Sequence, residues 1–325
     1  MNALGQSKRD GFTLIELLLT MMLTILLGIL VTQATTATMK VTRLSNRSID
    51  AASQARLALD CIGTDLSAVF RRRDVDFFAQ NPGGAAENTL YFLSGVASSS
   101  ASVSGSDNRG ISMVAYRIAS HTNNANRLCL ERACIPIPRA RPSSWAASSF
   151  MGLKSDGQPV KIDGSDTSFP TALIPATADF DLLSPGVVRM VVGFQLYPDN
   201  QPVTLKDGTT EANSRGQIVY SPPIYYPTLT SGSTSTIAYL DINRISSIVV
   251  GVVAIDLDSL RLLNASQVET LASHFPALSM NTLPVSAWKT ASDTAASTGI
   301  PLPAAQAVRV FQRFYPITSY GNSPQ

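Results

Sequence analysis

The sequence predicts an α+β fold, in which one long N-terminal helix precedes a β-rich head of antiparallel strands and long loops. An apolar run extends from Leu14 to Val31, and the chain has no proline before Pro82. Between Ala52 and Val69, apolar residues recur at steps of three and four, which is the spacing of one helix face. After Pro82, β-branched and aromatic segments alternate with stretches rich in Gly, Ser and Pro, as strands alternate with loops.

The apolar run is long enough to cross a bilayer core, which needs about 20 residues of helix. Glu16 is the only charged residue within it. A charged side chain in hydrocarbon is costly and usually has a functional partner. The sequence therefore poses the question of what Glu16 pairs with.

The helical pattern continues from Phe12 to about residue 70. An alternative is two helices with a break in the Thr-rich spacer from Thr32 to Thr42. Gly28 and Gly63 each lower helix propensity by about 1 kcal/mol and are candidate bends. Basic residues lie on both sides of the apolar run, so charge alone does not decide its orientation.

Five segments of the head have strand composition, and Ile245–Leu257 is the most apolar and is predicted to be central. They are Thr89–Leu93, Ile111–Ile118, Arg127–Ile135, Val187–Tyr197 and Ile245–Leu257. Asp258–Phe275 is predicted to be a helix with Leu260, Leu263, Val268 and Leu271 facing inward. The closing segment Val308–Tyr315 fits either a short helix or a strand.

Composition gives no sign of an enzyme. The chain of 325 residues has a net charge of +2, which offers no electrostatic basis for a nucleic-acid partner. It has no zinc-site spacing, P-loop, dinucleotide fingerprint or nucleophile elbow, so we predict no catalytic residue, metal or cofactor. His121 and His274 are predicted to be surface or helix-cap residues.

Three aspartates and one aromatic segment of the head each have two possible interpretations, one structural and one functional. Asp156, Asp163 and Asp166 are predicted to be solvated turn residues rather than calcium ligands, because they lack the ordered spacing of a calcium loop. The aromatic segment Ile224–Tyr226 is predicted to be buried in the head rather than to contact a neighbouring subunit.

Three cysteines occur in the chain. Cys61 falls in the predicted helix, where a small buried apolar residue is the ordinary explanation. Cys129 and Cys134 are close in sequence and are candidates for a disulfide across a turn in an oxidising compartment. The alternative is two reduced thiols.

The N-terminal residues carry a resemblance to a known family. Lys8-Arg9, Gly11 and the run Phe12-Thr13-Leu14-Ile15-Glu16 resemble the class III signal of type IV prepilins and type II secretion pseudopilins. The resemblance implies that a prepilin peptidase cuts after Gly11 on the cytoplasmic face and methylates the new amino terminus at Phe12. It also implies that Glu16 pairs with the N-terminal amine of a neighbouring subunit during assembly.

On this resemblance the fold is pilin-like and the chain has four parts. They are a leader peptide at 1–11, a transmembrane and assembly helix at 12–31, an extracytoplasmic continuation of the helix at 32–80, and a globular β-rich head at 81–325.

Weaker matches extend along the chain. Ala55–Asp60 with Asp65-Leu66 resembles the helix of the J-type minor pseudopilin and W-type minor pilin, and Tyr116-Arg117, Arg127-Leu128 and Arg309–Phe311 are similar to later parts of that group. The layout is also similar to the Verru_Chthon cassette protein C family. Two features differ from a major pilin, since the head is bulkier and the membrane helix contains no proline.

The expected function is that of a minor pilin or pseudopilin, a structural subunit of a type IV pilus or of a type II secretion pseudopilus. Its expected partners are prepilin peptidase, other pilin or pseudopilin subunits and the inner membrane. The N-terminus is expected in the cytoplasm and the head in the periplasm or outside the cell. The alternative is a membrane-anchored extracytoplasmic binding protein or adhesin that does not polymerise.

Overall fold

The computed structural model describes residues 13–70, 77–80, 89–96, 111–136, 179–198, 202–204, 210–212, 216–220 and 245–317. The chain divides into two compact units, Met1–Asn46 and Arg47–Gln325. Helix and antiparallel sheet give the α+β layout that the sequence predicts.

Helix α1 is continuous from Leu14 to Ser67. The break considered within the Thr-rich spacer does not occur. Threonine hydroxyls there donate to carbonyls four residues earlier, so these polar groups are satisfied without leaving the helix. Bonds of this kind join Thr32 to Gly28, Thr35 to Val31, Thr36 to Thr32, Thr38 to Ala34 and Thr42 to Thr38.

The parts of α1 in the two units differ in how far their side chains are buried. Every residue from 13 to 46 is exposed. Beyond Arg47, α1 buries one face made mostly of small and aliphatic side chains, namely Ala51, Ala55, Ala58, Leu59, Ile62 and Leu66. The predicted apolar face is confirmed at Ala55, Leu59, Ile62 and Leu66, whereas Ala52 and Val69 are only partly buried.

The first sheet has five antiparallel strands in the order of the chain. They are β1 Phe77–Gln80, β2 Thr89–Ser94, β3 Ser112–His121, β4 Arg127–Pro136 and β5 Asp181–Ser184. Residues 77–80, at the end of the predicted helical continuation, therefore form a strand. Strands β3 and β4 form a long hairpin in which Tyr116 lies opposite Arg132.

The second sheet has the order β11-β10-β6-β9 and is also antiparallel. Its strands are β6 Val187–Leu196, β9 Ile218–Val219, β10 Ile245–Ala254 and β11 Arg309–Pro316, and a separate hairpin joins β7 Pro202–Thr204 to β8 Thr210–Ala212. Strand β10 has partners on both sides and its Val249 and Val250 are fully buried, which confirms its predicted central place. The closing segment is a strand, β11.

Four short helices lie between β10 and β11: α2 Leu257–Arg261, α3 Ala265–Ser273, α4 Pro284–Asp293 and α5 Leu302–Ala305. The predicted single helix over Asp258–Phe275 is wrong, because Asn264 starts a new helix. Its Oδ1 accepts from the Gln267 amide at 2.8 Å, and Gln267 Oε1 accepts from the Asn264 amide at 3.0 Å, which is a capping box. The four residues predicted to face inward are all buried, as expected.

Gly63 allows a close approach between α1 and β11. A Cβ at this position would lie 2.7 Å from Cε1 of Tyr315, which is well inside van der Waals contact. The Tyr315 ring is also held at its far end, where the hydroxyl donates to the Leu59 carbonyl. The close packing against Tyr315 therefore explains why a glycine occupies position 63, although glycine lowers helix propensity.

We expect Gly63→Ala to lower the free energy of unfolding by up to about 2 kcal/mol, because overpacking costs about 1–3 kcal/mol and alanine recovers about 1 kcal/mol of helix propensity. Denaturant unfolding of the full chain in detergent, followed by tryptophan fluorescence, measures the change. Gly28→Ala is the control, since an added Cβ there has no atom within 4 Å. A Gly63→Ala protein that gains as much stability as Gly28→Ala would contradict the packing role of Gly63.

Candidate functional site

The apolar segment of α1 is uncovered along its whole length. Each large apolar side chain from Leu14 to Val31 is at least 52% exposed. The helix is long and apolar enough to cross a membrane. Soluble proteins rarely leave so much contiguous apolar surface in water, and surfaces of this kind contact membranes or other proteins. This segment is therefore the first part of the candidate site.

Glu16 lies at the start of this segment and takes part in a capping box. Its Oε2 accepts from the Thr13 amide at 3.0 Å and from the Thr13 hydroxyl at 3.1 Å. The Glu16 amide in turn lies 3.4 Å from Thr13 Oγ1. This reciprocal pattern satisfies two amides that have no partner inside the helix. The spacing Thr13-x-x-Glu16 is a sequence signal for such a cap that our sequence analysis missed.

The second carboxylate oxygen of Glu16 differs from the first in having no partner among the described residues. Within the described residues, Oε1 has no hydrogen-bond partner, and Glu16 forms no salt bridge. A carboxylate can accept several hydrogen bonds, so Oε1 can receive a cationic donor while Oε2 keeps the cap. Gly11 and Phe12, the predicted cleavage and methylation positions, lie outside the described residues.

The second part of the candidate site is a buried charge cluster at the end of α1. Asp65 is 2% exposed and accepts from Arg132 on β4 through both oxygens, at 2.8 Å to Oδ2 from Nε and 3.0 Å to Oδ1 from Nη2. The Tyr116 hydroxyl on β3 also donates to Oδ2. Two-point guanidinium–carboxylate pairs are among the stronger hydrogen-bonded contacts in proteins.

The β3–β4 register positions this cluster. Tyr116 and Arg132 are direct cross-strand neighbours, so both side chains reach Asp65 from one face of the hairpin. Ser94 on β2 adds a bond from its hydroxyl to the Asp65 carbonyl at 2.8 Å. Three strands of the first sheet therefore bind a single residue of α1.

Burial and the neighbouring charge fix the protonation of the cluster. Burial raises the pKa of Tyr116 far above its usual value, and the Asp65 carboxylate raises it further. Burial alone would lower the pKa of Arg132, but the hydrogen bonds to Asp65, together with charge interactions with Tyr116, Asp65 and Cys134, raise the pKa overall. At physiological pH the cluster thus holds a neutral phenol and a charged guanidinium.

Other contacts connect α1 to the head along the same helix. Asp50 Oδ2 accepts from the Leu257 amide at 2.9 Å, and Gln54 Oε1 accepts from the Ser184 hydroxyl at 2.9 Å. Asp60 pairs with Arg313 of β11, but both side chains are more than half exposed. Both sheets and the segment around α2 therefore contact residues 50–65.

The candidate disulfide between Cys129 and Cys134 is wrong. Both residues lie on β4, which is one continuous strand. An odd separation on a strand places their side chains on opposite faces, and five residues of strand span about 16 Å, well beyond the Cα separation of a disulfide. The thiol of Cys129 donates instead to the Ala119 carbonyl at 3.4 Å.

The two histidines lie at the ends of secondary-structure elements. His274 is the C-cap of α3, and its Nε2 lies 3.1 Å from the Thr294 hydroxyl. His121 ends β3 and accepts from the Asn123 amide at 3.1 Å. Within the described ranges no group of three His, Cys, Asp or Glu side chains could hold a metal ion. Asp156, Asp163, Asp166 and Ile224–Tyr226 lie outside those ranges.

No protein-family model, curated protein or solved structure matches the chain. Inference about function therefore depends on the residues themselves: the uncovered apolar helix, Glu16 and the N-terminal residues before it.

We expect Asp65→Asn to lower the free energy of unfolding by about 3–5 kcal/mol, since breaking a buried pair leaves Arg132 partly buried without its counter-ion. Asp60→Asn is the matched control on the same helix, and its solvent-exposed pair with Arg313 is expected to contribute little to stability because water and salt screen it. Urea unfolding of the three full-length proteins in detergent measures both. Equal losses for the two variants would contradict a central role for the Asp65 cluster.

Proposed function

We propose that this chain is a minor pilin or pseudopilin, a structural subunit of a type IV pilus or of a type II secretion pseudopilus. Its apolar α1 segment would first anchor it in the inner membrane and then pack against the corresponding helices of neighbouring subunits. The N-terminus would lie in the cytoplasm before processing, with the head in the periplasm or outside the cell.

One observation carries the proposal. Glu16 is the only charge in an uncovered apolar segment, and its Oε1 has no partner among the described residues. A carboxylate at that place is costly in hydrocarbon unless a cation meets it. The resemblance supplies such a cation, the amino terminus of a neighbouring subunit freed by cleavage after Gly11.

The capping box is compatible with this pairing. Oε2 remains bound to Thr13, which holds the carboxylate at the first turn of α1, and Oε1 stays available for the neighbour's ammonium group. Pairing in a low-dielectric environment would stabilise the inserted subunit only while both partners are present. Glu16 would therefore favour subunits that arrive processed and in register.

We predict that Glu16→Ala and Glu16→Gln are made and processed but assemble poorly. Glutamine at this helix position retains the capping interaction with Thr13, so its loss of assembly isolates the charge. Thr13→Ala is the complementary control to Glu16→Gln, because it removes the capping interaction and keeps the Glu16 carboxylate. The measurement is the amount of chain in sheared or purified filaments relative to total chain. Parental amounts of filament from Glu16→Gln would contradict the proposal.

We also predict that Gly11→Val abolishes cleavage, because a β-branched side chain beside the scissile bond should block the peptidase. The precursor would then keep its leader and migrate more slowly on a gel than the processed parent. Gly5→Val, within the leader and away from the junction, is the control and should be processed. Normal processing of Gly11→Val would count against the proposed cleavage site.

A further inference from the structure

Two cysteines that are distant in sequence lie on either side of the Asp65 cluster. Cys61 is one helical turn before Asp65, so the two share a face of α1. Cys134 is two residues after Arg132 and shares its face of β4. Because Asp65 and Arg132 are directly bonded, Cys61 and Cys134, both present as thiols in this structure, face the same helix–sheet interface.

The causes of the pKa shifts at this interface are consistent with Cys61 and Cys134 lying near one another. Burial raises the pKa of the Cys61 thiol, while the Arg132 guanidinium and the Tyr116 hydroxyl act in the opposite direction. The Cys134 thiol also raises the pKa of Cys61 and that of Arg132. Such effects require that these groups lie near one another. Cys129 is absent from this set and is influenced instead by Glu131 and Arg117.

We propose that Cys61 and Cys134 form a disulfide that links α1 to β4 once the head is in an oxidising compartment. The location outside the cytoplasm rests on the proposed function, whereas the pairing rests on the helix–sheet geometry alone. The disulfide would add a covalent bond between α1 and β4 at the interface that the Asp65–Arg132 ion pair already stabilises.

The difference in exposure between the thiols sets the order of the steps. Cys61 is partly exposed and Cys134 is buried, so a disulfide-bearing oxidant would reach Cys61 first. The Cys61 thiolate attacks the oxidant, forms a mixed disulfide and releases one thiol. The Cys134 thiolate then attacks Cys61 Sγ and displaces the second thiol. Each cysteine loses one proton, and the oxidant takes up the two electrons.

The closed loop contains β1, β2, β3 and most of β4. A bond across it would restrict the unfolded chain and resist separation of the helix from the sheet. We therefore expect the oxidised protein to unfold at a higher denaturant concentration than the reduced protein.

The test uses the purified full chain in detergent, treated with oxidised glutathione and then with iodoacetamide. Mass mapping without reduction should find the Cys61 and Cys134 peptides linked, and dithiothreitol should release them and lower the unfolding midpoint. Cys129→Ser is the matched control and should keep the link, whereas Cys61→Ser and Cys134→Ser should lose it. A stable glutathione adduct on Cys61 without the link, or a link to Cys129, would overturn the pairing.

A second measurement separates this inference from the proposed function. Cells are quenched in acid, alkylated, and the chain is recovered for the same mapping. A Cys61–Cys134 link in this material supports the inference in full. If the purified chain forms the link but the cellular chain carries two alkylated thiols, the pairing stands and the oxidising location is contradicted.

Discussion

The ion pair between Asp65 and Arg132 is the interaction on which the packing of α1 in the head depends. Burial of a carboxylate is costly unless it is paired, and the Asp65 carboxylate, which is 2% exposed, accepts hydrogen bonds from a guanidinium and a phenol. Those groups come from adjacent strands in direct register, so the β3–β4 hairpin must form correctly for the pair to exist. The contacts of Asp65 therefore form only when strands β3 and β4 pair in the correct register.

Two of the carboxylates of helix α1, Glu16 and Asp65, have opposite surroundings. Asp65 finds its cation within the same chain, and its effect is on the stability of the head. Glu16 has only the local cap of Thr13 among the described residues, and one oxygen remains available in an uncovered apolar segment. Its proposed effect is on association, because its cation would come from another subunit. A charge in a low-dielectric environment needs a partner. At Asp65 this requirement favours folding of the head, and in our proposal it would favour assembly at Glu16.

The sequence predicted the features that depend on local pattern. The continuous helix, its buried face beyond Arg47, the central place of β10 and the inward residues of α2 and α3 follow from periodicity and apolar content. The register of the strands and the contacts between distant residues could not be predicted from the sequence. The Cys129–Cys134 bridge failed because closeness in sequence suggested a turn, whereas the segment is one strand with alternating faces. The Asp65 cluster was missed because its members lie 51 and 67 positions apart in the chain, although an aspartate within an apolar stripe was a usable signal. The break at Asn264 was also detectable, since Asn264-x-x-Gln267 is a capping-box spacing.

The central claim is that Glu16 is matched to an amino terminus created by cleavage after Gly11. Mass spectrometry of the N-terminal peptide of the chain isolated from its native membrane tests this most directly. Our proposal predicts a peptide that begins with N-methylated Phe12. An intact Met1, or a new terminus after the apolar run, would contradict it, because no neighbouring amine would then be available at the level of Glu16.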